Sequence, residues 1–120
     1  MHRNTESERP FTLRKAIDVT GSVTSLLERM PDAERDVLGS QMARYAFLTV
    51  GRLSKAIGAP TPSRRSRGYS AARGSVAALS SLLELSVRVG VLAESDVERV
   101  VIDCDELLHI LGDLAGTPQW

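Results

Sequence analysis

Residues 37–83 carry seven basic side chains, Arg44, Arg52, Lys55, Arg64, Arg65, Arg67 and Arg73, and no Asp or Glu. Six of the seven are arginine. Its planar guanidinium makes paired hydrogen bonds to phosphate oxygens, which an ammonium cannot. A cationic block without interleaved acids has the electrostatic footprint of a surface that meets a polyanion. Aromatic residues that could stack on bases are few: Phe11, Phe47, Tyr45, Tyr69 and Trp120. The chemistry offered is therefore phosphate contact rather than base-by-base reading of a single strand. These seven residues are the candidate nucleic-acid-binding set.

Other reactive residue types do not assemble into a constellation. His2 lies in a polar N-terminal stretch and His109 beside an apolar stripe. Two histidines and one cysteine without ligand spacing do not make a structural metal site. Cys104 falls among leucines and valines, where a thiol serves as a small buried hydrophobe, and its neighbours Asp103 and Asp105 oppose a thiolate. Asp103, Asp105, Glu106 and Asp113 read as a solvated helix face, because inward Glu-x-x-His pairs on separate helices are absent. Gly51-Arg52 and Gly74-Ser75 lack the strand and spacing of a nucleotide-binding loop. No catalytic residue, metal or cofactor is expected, and the chain is not expected to be an enzyme.

Four helices must position the basic set. The apolar spacing predicts helices near 11–30, 32–57, 67–89 and 95–115. Asp32 is expected to cap the second helix, and Gly58-Ala-Pro-Thr-Pro-Ser63 to end it. Arg64, Arg65 and Arg67 then fall in a linker, residues 58–68. Gly90 suits a left-handed C-cap, followed by a capping box at Ser95-Asp-Val-Glu98. Val97, Val100, Val101, Cys104, Leu107, Leu108, Leu111 and Leu114 form the cleanest stripe. No strand-like alternation competes. The expected fold is all-α, an up-down-up-down antiparallel four-helix bundle over residues 11–115, with a flexible N-terminal tail (1–10) and a C-terminal tail (116–120).

Helix two is apolar on too many sides. At 100° per residue, Arg44, Arg52 and Lys55 share an arc of about 80°. Phe47 and Val50 lie off the core arc and Leu48 sits among the basic residues. Scattered exposed apolar groups are ordinary, but three on one helix favour burial against a second subunit. Phe47, Leu48 and Val50 are the candidate oligomer interface.

The 120 residues suit one domain. No apolar run approaches a membrane span, and the polar N-terminus and lone cysteine point to a cytoplasmic protein. Fifteen basic and fifteen acidic residues cancel to zero net charge. The cancellation hides a partition: residues 1–36 carry six basic and seven acidic groups, 37–83 seven basic and none, and 84–120 two basic and eight acidic.

Gly39-Ser-Gln-Met-Ala-Arg44, Ala72-Arg-Gly-Ser-Val-Ala77, Gly90-Val-Leu-Ala-Glu-Ser95 and Leu107-Leu-His-Ile-Leu-Gly-Asp-Leu114 follow one another at characteristic spacing. In this order they resemble the four-helix-bundle family of the 23S rRNA intervening-sequence proteins, which also includes the accessory variability proteins of diversity-generating retroelements. The chain departs from the usual pattern at Val50–Ala56, where a proline kink is missing and Lys55 replaces a glutamate. The resemblance implies a bundle that assembles as a ring, a pentamer favoured, and a basic surface that in some members meets nucleic acid and a reverse transcriptase. The expected partners are thus other copies of this chain and RNA or a reverse transcriptase, with no membrane. The competing reading is an oligomeric protein–protein adaptor, or a structural bundle without nucleic-acid binding.

Overall fold

The computed structural model describes residues 2–116, with side chains from residue 11 onward. Helix α1 (His2–Leu27) leads into α2, which runs as one rod through Asp32–Glu34, a π-helical turn at Arg35–Gly39, and Ser40–Ile57. Helix α3 (Pro62–Arg88) and α4 (Glu94–Ala115) follow. Helices α1 and α3 each pack on both α2 and α4. The chain is thus an all-α, up-down four-helix bundle, 47 × 22 × 22 Å. Helix α1 already includes the backbone of residues 2–10, where a flexible tail was expected. Of the tail expected at 116–120, residues 117–120 lie outside the described residues, as do the side chains of residues 1–10.

One core joins the four helices. Val19, Val23 and Leu26 of α1 meet Met42, Ala46 and Leu53 of α2, Val76, Leu79 and Leu83 of α3, and Val100, Cys104, Leu107 and Leu111 of α4. Six of the eight stripe residues of α4 are buried as their periodicity predicts, and Val101 and Leu108 are partly buried beside them. On α3 the inward row takes in two serines: Ser75 and Ser86 are buried, whereas Leu85 and Val89 are exposed. Steps of three and four from Val76, through Leu79 and Leu83, arrive at Ser86 rather than Leu85. The serine hydroxyls satisfy themselves on their own helix, Ser86 donating to Leu82 O at 2.9 Å and Ser75 to Ala71 O at 3.3 Å.

The helix ends differ from expectation in three places. Asp32 is not a cap: Pro31 holds the N-cap position without a side-chain bond, and the Asp32 carboxylate pairs with Arg35 at 3.3 Å. Arg35 makes the junction instead. Its Nε donates to Leu27 O at 2.8 Å and a terminal nitrogen to Met30 O at 2.9 Å, satisfying carbonyls left open at the end of α1. Helix α4 begins at Glu94, before the expected box. The Asp96 carboxylate accepts from the Ala93 N–H at 3.1 Å, so Asp96 closes the turn that Glu98 was expected to close.

The third difference moves the site. Helix α3 starts at Pro62, not near residue 67, so Arg64, Arg65 and Arg67 lie on its first two turns. Thr61 is the N-cap and its hydroxyl accepts from Arg64 N–H at 3.2 Å. Pro62 takes the first helical position, where its missing N–H and fixed φ cost nothing. The proline that ends α2 as a breaker is followed by one that begins α3. At the other end of α3, Gly90 has φ +79 as a left-handed cap requires. Val91 N–H reaches Ser86 O at 2.9 Å and Gly90 N–H reaches Val87 O at 3.0 Å, the paired bonds of a Schellman turn.

Candidate nucleic-acid interface

Close packing of α2 on α3 sets the basic surface. A Cβ added at Gly68 would lie 2.5 Å from Ala56 Cβ, so glycine lets the start of α3 approach the end of α2. Two open grooves carry most of the basic residues. One, about 660 Å³, runs along α2 past Arg44, Phe47, Leu48, Arg52 and Lys55. The other, about 640 Å³, lies where α2 meets α3; its rim carries Arg52, Lys55, Arg64 and Arg67, over a floor that includes Ala56, Pro60 and Gly68. Arg52 and Lys55 belong to both, so the grooves are continuous.

The seven basic residues are not equivalent. Arg52 crosses to α3, donating to Ser75 Oγ at 2.6 Å and Ala71 O at 3.2 Å. Arg73 reaches α4 at Leu108 O, 3.2 Å away, and lines neither groove. Arg65 is half-buried and donates to Ala59 O at 3.0 Å, while Arg67 donates to Ser63 Oγ at 3.3 Å. Arg44 lies over the neighbouring Tyr45 ring, 5.6 Å from its centroid. None of the seven forms an ion pair with a described carboxylate. Arg64 and Arg67 also stand at the positive end of the α3 dipole, which no acid in its first turn offsets. Guanidinium groups placed there repel one another and the helix end, and an arriving phosphate relieves both.

Of the candidate interface residues, Phe47 is 62% exposed and Leu48 lines the α2 groove beside it. Val50, one turn on from Phe47, is half-buried and packs against the core.

The acidic residues of α4 are divided by the structure. Asp103 is buried, not on a solvated face, and holds Lys15 of α1 at 3.3 Å. Glu106 meets the same ammonium at 2.5 Å. The hydrogen bond that Lys15 donates to Glu106 is the main cause both of a raised Lys15 pKa and of a lowered Glu106 pKa. Two of the four carboxylates, Asp103 and Glu106, thus hold one lysine between them. Among the described residues no three His, Cys, Asp or Glu converge as metal ligands. Burial pushes the Cys104 thiol up to about 12, with Asp105 and Asp103 adding to the shift. His109 is exposed and faces Asp113 at 3.5 Å. No described helix is long and apolar enough to cross a membrane.

The family model for 23S rRNA-intervening sequence proteins matches residues 11–113, nearly the whole bundle. The chain belongs to this family. A solved structure from Bacteroides thetaiotaomicron VPI-5482, a protein of unknown function from the S23 ribosomal protein family, superposes with a TM-score of 0.82. It is 15% identical, and the match covers 91% of this chain and 98% of that one. The likeness shows that the intervening-sequence bundle is shared in fold while most side chains differ. No curated protein matches the sequence. In this intervening-sequence protein the cationic side chains therefore have to be judged on their own geometry.

Proposed function

We propose that this protein is a non-enzymatic, ring-forming helical bundle that binds structured RNA, alone or within an RNA–protein complex such as that of a reverse transcriptase, through the basic surface of α2 and the start of α3. A pentamer is the favoured ring. The observation that carries the reading is the pair of continuous grooves rimmed by Arg44, Arg52, Lys55, Arg64 and Arg67, none of them neutralised by a described carboxylate. Membership of a family named for a 23S rRNA intervening sequence supports RNA as the polyanion. Scarce aromatics make the contact one of shape and phosphate rather than of sequence.

Binding of a labelled RNA stem-loop, followed by fluorescence anisotropy across a salt series, tests this. The logarithm of affinity falls linearly with the logarithm of salt, losing about 0.7–0.9 in slope per phosphate neutralised. Replacing Lys55 by Gln and Arg64 and Arg67 by Ser removes three grooved cations without touching the core. The expected result is at least a tenfold loss of affinity at moderate salt and a slope shallower by about 2. Unchanged affinity and slope in the triple variant would sink the proposal.

A further inference from the structure

A third groove, about 810 Å³, lies between α3 and α4 towards their connecting loop. Val87, Val97, Val101 and Ile102 give it an apolar floor, and Ile102 is 44% exposed. Its two edges differ in charge. On the α3 edge Glu84 is held by Arg88 at 3.0 Å, so that edge is neutral. On the α4 edge Glu94 and Glu98 are exposed, one helical turn apart, and neither has an ion-pair partner among the described residues. The groove shares no residue with the basic grooves of α2 and the start of α3. Its carboxylates repel an RNA backbone.

We infer that this groove is the docking site for a cationic amphipathic helix of a partner protein. Both walls are helices whose backbone groups bond internally, so they offer no open edge to an extended strand. A helix needs no such edge, and its side chains seat between two helices as a third ridge. From Glu94 to Ile102 the wall rises about 12 Å, room for about two turns of the incoming helix. Two or three apolar side chains at helical spacing cover the floor. Lysines or arginines four residues apart on one flank then meet Glu94 and Glu98. The other flank lies beside the neutral Glu84–Arg88 pair and needs no charge. The uneven edges thus set which flank is cationic. A neutral or acidic helix in the same place crowds two carboxylates without compensating them. The inference stands apart from RNA binding, because the two surfaces are separate.

The probe is a fluorescein-labelled synthetic peptide of about four helical turns, with leucines at helical spacing on one face and lysines at i and i+4 on one flank. Anisotropy at physiological salt is expected to show saturable one-to-one binding to the full chain. Glu94→Lys with Glu98→Lys is expected to weaken it at least about tenfold, and Ile102→Asp likewise. Asp18→Lys with Glu28→Lys makes the same change of net charge at exposed positions of α1 and is expected to leave affinity within about twofold. A peptide of the same composition without the amphipathic order is expected to bind at least about tenfold more weakly. Circular dichroism confirms that each variant folds. Absence of saturable binding would overturn the inference. So would an equal loss in the groove and α1 variants, which shows attraction to net charge alone, or equal binding of the reordered peptide. A fall in the solution mass of Ile102→Asp by light scattering would place another copy of this chain in the groove and overturn it too. The variant carrying Lys55→Gln, Arg64→Ser and Arg67→Ser is expected to hold the peptide at least as tightly as the wild type, so failure of the RNA reading and failure of this one are separate results.

Discussion

Lys15 has the most consequential side chain outside the basic surface. It brings α1 against α4 by holding two carboxylates, Asp103 at 3.3 Å and Glu106 at 2.5 Å, with Arg99 standing off Asp103 at 3.7 Å. Removing the ammonium leaves the buried Asp103 with only that distant, exposed arginine. Lys15→Met is expected to cost about 2 kcal/mol in urea unfolding at neutral pH, and adding Asp103→Leu to recover most of it, because an uncompensated buried charge costs more than an apolar pair. The pH dependence has two limbs. Glu106 titrates below its ordinary 4.5 in the folded protein, so its contribution is complete above 4.5 and is lost as pH falls through the lowered value. Lys15 titrates above 10.5, so its contribution is complete below 10.5 and is lost as pH rises through the raised value. Thermal denaturation of Lys15→Met is expected to show a shallower dependence at both extremes than the wild type. None of this was legible in the sequence. Lys15 and Asp103 are 88 positions apart, and a helical wheel of α4 alone reports only carboxylates at the margin of an apolar stripe. Cys104 was legible, because its place in the middle of that stripe depends on local spacing alone.

At the scale of the element, the contrast between two glycines of α3 separates packing from propensity. Gly68 faces Ala56 so closely that a methyl group there would force α2 and α3 apart. Gly68→Ala is expected to destabilise by about 2 kcal/mol. Ala56→Gly in the same chain is expected to return part of that loss by making room for the new methyl. Gly74 has nothing within 4 Å of an added Cβ. Gly74→Ala is expected to stabilise by about 0.5–1 kcal/mol through helix propensity alone. Chemical denaturation of the three variants checks both signs. The helices themselves were readable from period and punctuation, and the core residues of α4 and the Gly90 cap stand where the pattern puts them. The starts of helices were less readable because one residue type carries opposite meanings. Pro60 lies in the break after α2, while Pro62 opens α3 because Thr61 caps it. Reading both as linker put Arg64, Arg65 and Arg67 on a loop. Their helical placement gives them a fixed spacing along one rod and the added field of the helix end.

At the scale of the whole molecule, the partition of charge becomes spatial. The acidic end of the sequence forms the edge of a groove on α3 and α4, and the basic middle forms the rim of grooves on α2 and the start of α3. Zero net charge then describes a chain with separate acidic and basic surfaces, the cations concentrated towards the α2–α3 end. Sequence counting exposed the partition, but only the packing order of the helices shows that Phe47 and Arg44 share a groove while Val50 turns to the core. A consequence for binding follows from multiplicity. In the proposed ring each copy would add another Arg64 and Arg67 cluster, and linked clusters would engage one RNA at a high effective concentration. Phe47→Asp removes no basic residue, yet it is expected to lower apparent affinity for a long structured RNA by at least tenfold. The same substitution is expected to leave affinity for a short stem-loop, which spans a single cluster, within about twofold. The added aspartate repels phosphate equally with either RNA, so a similar loss with both would show a local charge effect, whereas a loss confined to the long RNA would tie binding to assembly. Mobility shift with both RNAs at one fixed salt concentration distinguishes the outcomes, since every phosphate contact depends steeply on salt.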